Sequence, residues 1–123
     1  MDLVNCEIAN GGDRGNTVVR FGVTAAELAV LIALHGEDAV FNIEPAGKID
    51  RRNREERERL RFAYGATRVR GDDEIDAKSV VELLYPGAAA RVHEELDELE
   101  IPEHLFKPTA RAGGVRAFED ALG

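Results

Sequence analysis

The chain has 123 residues, one cysteine, no tryptophan and a net charge of −8. That length suits one domain able to bury a core without cross-links, and the lone Cys6 excludes an internal disulfide. The acidity argues against a whole-surface footprint for nucleic acid, and no apolar stretch approaches the ~20 residues of a bilayer span.

The charge is unevenly spread. Residues 1–47 carry 2 basic and 7 acidic side chains, residues 48–70 carry 9 and 4, and residues 71–123 carry 5 and 13. A basic block between two acidic ones points to pairing within the chain or between copies of it. The start, MDLVNCEIANGG, has neither a basic region nor a long apolar one, so no secretory signal is expected. A reducing compartment suits a single thiol.

Leu3–Asn10 alternates, with Val4, Cys6 and Ile8 on one face, and reads as a half-buried strand. The glycine-rich cluster Asn10–Asn16 is a turn, and Thr17–Phe21 is a second strand closing a long-looped hairpin. Gly22 is read as the end of that strand. Thr24–Leu34 follows, apolar almost throughout, which is the mark of a helix buried on most faces. Thr24 and Glu27 have capping-box spacing, Val23 and Leu28 that of a hydrophobic staple. Gly36 stands where a left-handed residue ends a helix.

Ala39–Glu44 alternates again, placing Ala39, Phe41 and Ile43 on one face, and Pro45 is read as its stop. Asp50 is placed to cap a charged helix, Arg51–Tyr64, ended by Gly65. Its spacing predicts i,i+4 pairs Arg51–Glu55, Arg52–Glu56, Arg54–Glu58 and Glu55–Arg59. Its apolar contacts come late, from Leu60, Phe62, Ala63 and Tyr64, so its first two turns are expected in solvent or against a partner. Gly71–Asp73 is a turn. Asp76–Tyr85 and Ala88–Glu100 are expected as helices, the second with an acidic face, and a single turn after Pro102 holds Leu105 and Phe106. Residues 107–123 are poorly patterned. They are expected as a C-terminal tail, mobile in a free monomer or docked on a partner, with Val115, Phe118 and Leu122 in a last turn.

Candidate chemistry is sparse. His35 suits the free carbonyls of a helix end; His93 and His104 read as surface histidines, and no metal-ligand spacing joins them. Cys6 lacks a basic neighbour and reads as a small buried side chain. Ser79, the one serine, is read as mid-helix, without a nucleophile elbow. The NGGDRGN loop joins two strands, whereas a phosphate loop runs from strand to helix. Asp72–Asp76 lacks the calcium-loop pattern. No catalytic residue, cofactor or metal is assigned.

The remaining signals concern contact. Arg51, Arg52, Arg54 and Arg57 on the charged helix, Arg14 at the hairpin tip, and Glu94, Glu95 and Glu98 on the acidic segment are the candidate interface residues. Contact of the arginine helix with a copy's acidic segment would be heterologous, the type that builds rings and shells. Charge complementarity there would set register more than affinity.

The segments GVTAAELAVLIALHGEDAVFNIEP, EERERLRFAYG and LLYPGA resemble small uncharacterised proteins encoded among the virion genes of tailed bacteriophages. The resemblance covers about the first half of the chain and the region of Pro86. It implies a non-enzymatic structural or assembly role: capsid-associated, connector or tail. The implied partners are other virion proteins or copies of itself, and the implied location is the virion, otherwise the cytoplasm; no membrane partner is expected, and the acidity disfavours nucleic acid. The alternative is an acidic, phage-encoded inhibitor that occupies a basic cleft of a host nucleic-acid enzyme.

The fold class read from these elements is α+β. A small antiparallel three-stranded sheet packs on the buried central helix, with further charged helices, in a single domain over residues 1–106. The expected core is Val4, Cys6, Ile8, Val19, Phe21, Leu28, Leu31, Ile32, Phe41, Ile43, Leu60, Val81 and Leu84.

Overall fold

The computed structural model describes residues 1–10, 13–69, 78–87 and 90–108, with only the backbone of Arg14. The fold is α+β. Strands β1 (Asp2–Asn10), β2 (Asp13–Thr24) and β3 (Val40–Lys48) form an antiparallel sheet in the order β2-β1-β3. Helix α1 (Ala25–His35) follows β2 directly and packs on one face of the sheet. Beyond β3 come α2 (Asn53–Tyr64), a two-residue ribbon of β4 (Arg68–Val69) and β5 (Lys78–Ser79), and the short α3 (Val80–Leu84).

The central helix forms as its caps dictate. The Thr24 hydroxyl accepts the Glu27 amide at 3.0 Å, and Val23 and Leu28 are buried in one cluster. Two details differ. The Glu27 carboxylate does not complete the capping box but turns to side chains of β2 and α2. Gly36 has a positive φ of 97° with an extended ψ of 152°, not a left-handed helical conformation, and its amide bonds the Ile32 carbonyl.

The strands are longer than their apolar patterns predict, and two bulges reverse which side chains point inward. Gly22 does not end β2. It sits at φ 66°, where the register against β1 shifts between Val4 and Cys6, and a glycine at positive φ is what a bulge requires. Val23, opposite Val4, faces the core; beyond the bulge Arg20, opposite Cys6, faces inward, and Val19, opposite Glu7, faces out. Val19 and Phe21, expected in the core, are therefore 49% and 75% exposed. Asn42 at φ 50° marks the same event in β3. Val40 and Ile43 are fully buried there and Phe41 only in part, in place of the expected Ala39, Phe41, Ile43 face. Pro45 lies inside β3 because β3 is an edge strand, which needs no outward amide.

The expected helix over 88–100 is absent from its described part. Residues 90–95 are irregular and only Leu96–Glu98 makes a 3-10 turn. The reason is competition for the backbone. Asn53 both accepts the Val92 amide and donates to the Val92 carbonyl, each at 3.2 Å. The Asp2 amide donates to the Glu94 carbonyl, and the Asp2 carboxylate accepts from the Leu96 amide, both at 2.7 Å. Groups held this way cannot close an i,i+4 ladder.

Smaller corrections have equally local causes. α3 begins at Val80, so Ser79 stands before it, at the cap position. The turn after Pro102 forms at Glu103–Leu105, and Phe106 then bridges to Ile43 while the Lys107 amide bonds the Ile43 carbonyl. Residues 71–77 and the turn expected at Val115, Phe118 and Leu122 lie outside the described residues. One cluster, from Val4, Ile8, Leu28, Leu31 and Ile43, lies between sheet and α1; a second, around Val30, Leu60, Val80, Val81 and Tyr85, joins the helices.

Candidate functional site

The first candidate is the junction of α1 with α2. The helix starts with Arg52 as its cap, not Asp50, and the Glu55 carboxylate accepts the Arg52 amide. The first turns are not left in solvent: Glu56 is fully buried and Arg57 nearly so. Glu56 accepts from Arg51 at 2.6 Å, from Arg59 at 2.6 and 3.0 Å, and from the Thr24 hydroxyl at 2.5 Å. Glu27 accepts from Arg20 at 3.0 Å, Arg59 at 2.8 Å and Tyr64 at 2.5 Å. Arg59 thus bridges two carboxylates, one on each helix, and the Thr24 hydroxyl caps α1 while donating to α2.

Burial pushes both carboxyls up, but donated hydrogen bonds and arginine charge outweigh it. For Glu27 they come from Tyr64, Arg59 and Arg20; for Glu56 from Arg59, Thr24 and Arg51. Both titrate below the ordinary glutamate value. The hydrogen bonds that Arg59 donates to Glu56, against burial, hold it well above the usual arginine range, and burial raises Tyr64. Carboxylates engaged this way, Glu56 by four donated hydrogen bonds and Glu27 by three, fix the two helices together.

The predicted interface residues fall in three places. Arg51 is drawn into this junction, five residues from its partner and not four; Arg57 is buried with its guanidinium on the Gly87 carbonyl at 3.2 Å. Arg52 and Arg54 are exposed and pair with Glu55 and Glu58, the second of these at the expected spacing. On the acidic segment, Glu94 bonds Asn53 and lies 3.5 Å from Arg91, and Glu98 accepts the Glu94 amide. Glu95 is exposed. The backbone of Arg14 lies in β2, far from α2 in sequence and on another element. The structure therefore brings Arg51 and Arg57 inward and leaves Arg52, Arg54 and Glu95 outward.

The other expected groups are accounted for by contacts. Cys6 is buried, which pushes its thiol up to about 11. His93 is half-buried, its Nδ1 2.8 Å from the Tyr85 hydroxyl, so it is not a surface histidine. Burial drives Tyr85 up to about 12. His104 is exposed, 3.7 Å from Asp38. A groove of about 330 Å³ runs between α1 and residues 98–105, over Ile32, Leu84, Leu99, Ile101 and Leu105. Among the described residues no set of three or more His, Cys, Asp or Glu is placed to hold a metal, and no helix is long and apolar enough to cross a membrane.

The second candidate is apolar. Along β2, Val18, Val19 and Phe21 are exposed, and on α2 Phe62 is 95% exposed because Leu60 and Tyr64 take the inward positions. Among the described residues β2 is an edge strand, hydrogen-bonded to β1 alone. The opposite edge, β3, is covered near Ile43 by Phe106 and Lys107. On its helix side β2 borders a groove of about 240 Å³ lined by Val18, Leu31, Leu34, His35 and Tyr64. The sequence carried one signal for this exposure, Gly22: a glycine inside a strand pattern marks a bulge, and a bulge reverses the inward face.

No protein-family model, curated protein or solved structure matches this chain.

Proposed function

We propose that the chain acts through protein–protein contacts, as a non-enzymatic structural or assembly component of a tailed-phage particle: capsid-associated, connector or tail. The observation that supports contact is the open edge of β2, twelve residues long with Val18, Val19 and Phe21 exposed. A hydrophobic edge strand is normally covered or blunted in a soluble protein, because it templates further pairing. The phage assignment draws on the resemblance of residues 22–45, 55–65 and 83–88 alone. Its partners are other virion proteins or copies of itself.

A second reading keeps one specific feature in play. Glu95, Asp97, Glu98 and Glu100 are exposed on and around the 3-10 turn Leu96–Glu98, an acidic surface that suits a basic cleft. Mass spectrometry of purified particles from the genome encoding this chain separates the two. Presence at a defined copy number is the expected result. Absence from particles and assembly intermediates, with stoichiometric recovery on a host polymerase or nuclease, would overturn it in favour of the inhibitor.

A further inference from the structure

We propose that the open edge of β2 pairs antiparallel with β2 of a second copy, across a two-fold axis at Val19, to give one continuous six-stranded sheet. This rests on the contact reading above and names its surface and partner.

Three features favour a second copy. The first is pattern. Val19 and Phe21 lie on the outer face of the sheet, whereas Val18, opposite Ile8, lies on the helix face beside the groove with Leu31 and Leu34. A strand added here meets apolar side chains on both faces, and β2 itself offers Val19 and Phe21 on the outer face and Val18 on the helix face, where Arg20, held by Glu27, is the one charge over residues 17–21. The second is register. With Val19 on the axis, Thr17 of each copy falls opposite Phe21 of the other, and Val18 opposite Arg20. Opposed residues keep the same face, as antiparallel pairing demands. The run Thr17–Arg20 has no register shift against β1, so the edge is regular where the pairing centres.

The third is charge. The chain carries −8 overall and copies repel. β2 holds only Asp13, Arg14 and Arg20, one acid and two bases, and in this register no two like charges stand opposite. The Arg20 charge is already engaged by Glu27. Strand addition of this kind draws affinity from main-chain bonds and specificity from alternate side chains. It buries less than the ~1,200 Å² of a standard interface, so the dimer is expected to be concentration-dependent.

Sedimentation velocity across a wide concentration range, paired with hydrogen exchange at each end of it, tests the proposal. The expected result is a reversible monomer–dimer equilibrium in which alternate β2 amides gain protection as the dimer forms. Val19→Lys and Phe21→Lys, at exposed positions, are expected to weaken dimerisation about tenfold or more with unchanged circular dichroism. Phe62→Lys on α2 is expected to leave it unchanged. A monomer throughout, or a dimer insensitive to Val19→Lys and Phe21→Lys, overturns the pairing. The wider contact reading stands or falls separately, on whether particles contain the chain.

Discussion

The α1–α2 junction and the β2 edge invert the usual disposition of side chains. At the junction, two glutamates are buried among three arginines, a threonine and a tyrosine, with four hydrogen bonds donated to Glu56 and three to Glu27. At the edge, two valines and a phenylalanine stand in water. What decides is connectivity: a charge is tolerated inside where partners from two helices converge on it, and Val19 and Phe21 are left outside where a bulge turns them away. One region closes the subunit upon itself; the other, among the described residues, is paired along one side alone.

The sharpest way to break the contrast is Glu56→Ala. It strands Arg51, leaves Arg59 with Glu27 alone and takes the acceptor from the Thr24 hydroxyl, and losing one partner of a buried ionic group costs ~3–5 kcal/mol. Because Arg51 and Arg59 keep some water, the lower end, about 3 kcal/mol, is expected, read as a fall in urea midpoint. Glu56→Gln should lose less, since the amide still accepts one hydrogen bond.

Acid attacks the same junction. Glu27 and Glu56 have native values below the ordinary 4.5, so the folded state binds fewer protons than the unfolded chain. Their contribution is present in full above the unfolded value and is lost as pH falls through the lower native ones. Urea midpoints taken from neutrality downward should hold steady and then drop in the acid range. The drop should be smaller in Glu56→Gln.

Asn53→Ala tests the tie between α2 and the C-terminal segment. It removes two hydrogen bonds to Val92 and should cost ~1 kcal/mol or somewhat more, with faster proteolysis in the irregular residues 90–95. The smallest effect belongs to the open edge. Val19→Lys and Phe21→Lys should alter monomer stability by less than ~0.5 kcal/mol, measured at high dilution. A large loss there would mean that the edge is a structural seam of the subunit after all.

The fold was legible where a local rule acted alone. Thr24 and the apolar run after it announced α1, and Val4, Cys6 and Ile8 announced the inward face of β1. Reading failed where one residue redirected many. Gly22 and Asn42 each reversed a strand's inward face, and alternation carries no memory across an inserted residue. The helical spacing of Ala89, Val92, Leu96 and Leu99 was real, but Asn53 and Asp2, distant in sequence, hold the backbone that helix would need. On the arginine helix, i,i+4 spacing finds Arg54–Glu58, whereas Arg51 pairs with Glu56, Arg52 with Glu55 and Arg59 with Glu27 and Glu56 in place of the expected Arg51–Glu55, Arg52–Glu56 and Glu55–Arg59. Spacing on α2 gave no hint that Glu27, on another helix, would share Arg59.

The seal on β3 has a consequence in time. Ile43 receives its last backbone partner from Phe106 and Lys107, more than sixty residues downstream. At a synthesis rate of ~5–20 residues per second, β3 emerges from the ribosome several seconds before that cover exists. Through that interval the nascent sheet has two raw flanks, and neighbouring chains on one messenger meet it in its stickiest form. Slow translation between these segments, or cold, should therefore favour mispaired aggregates over native protein.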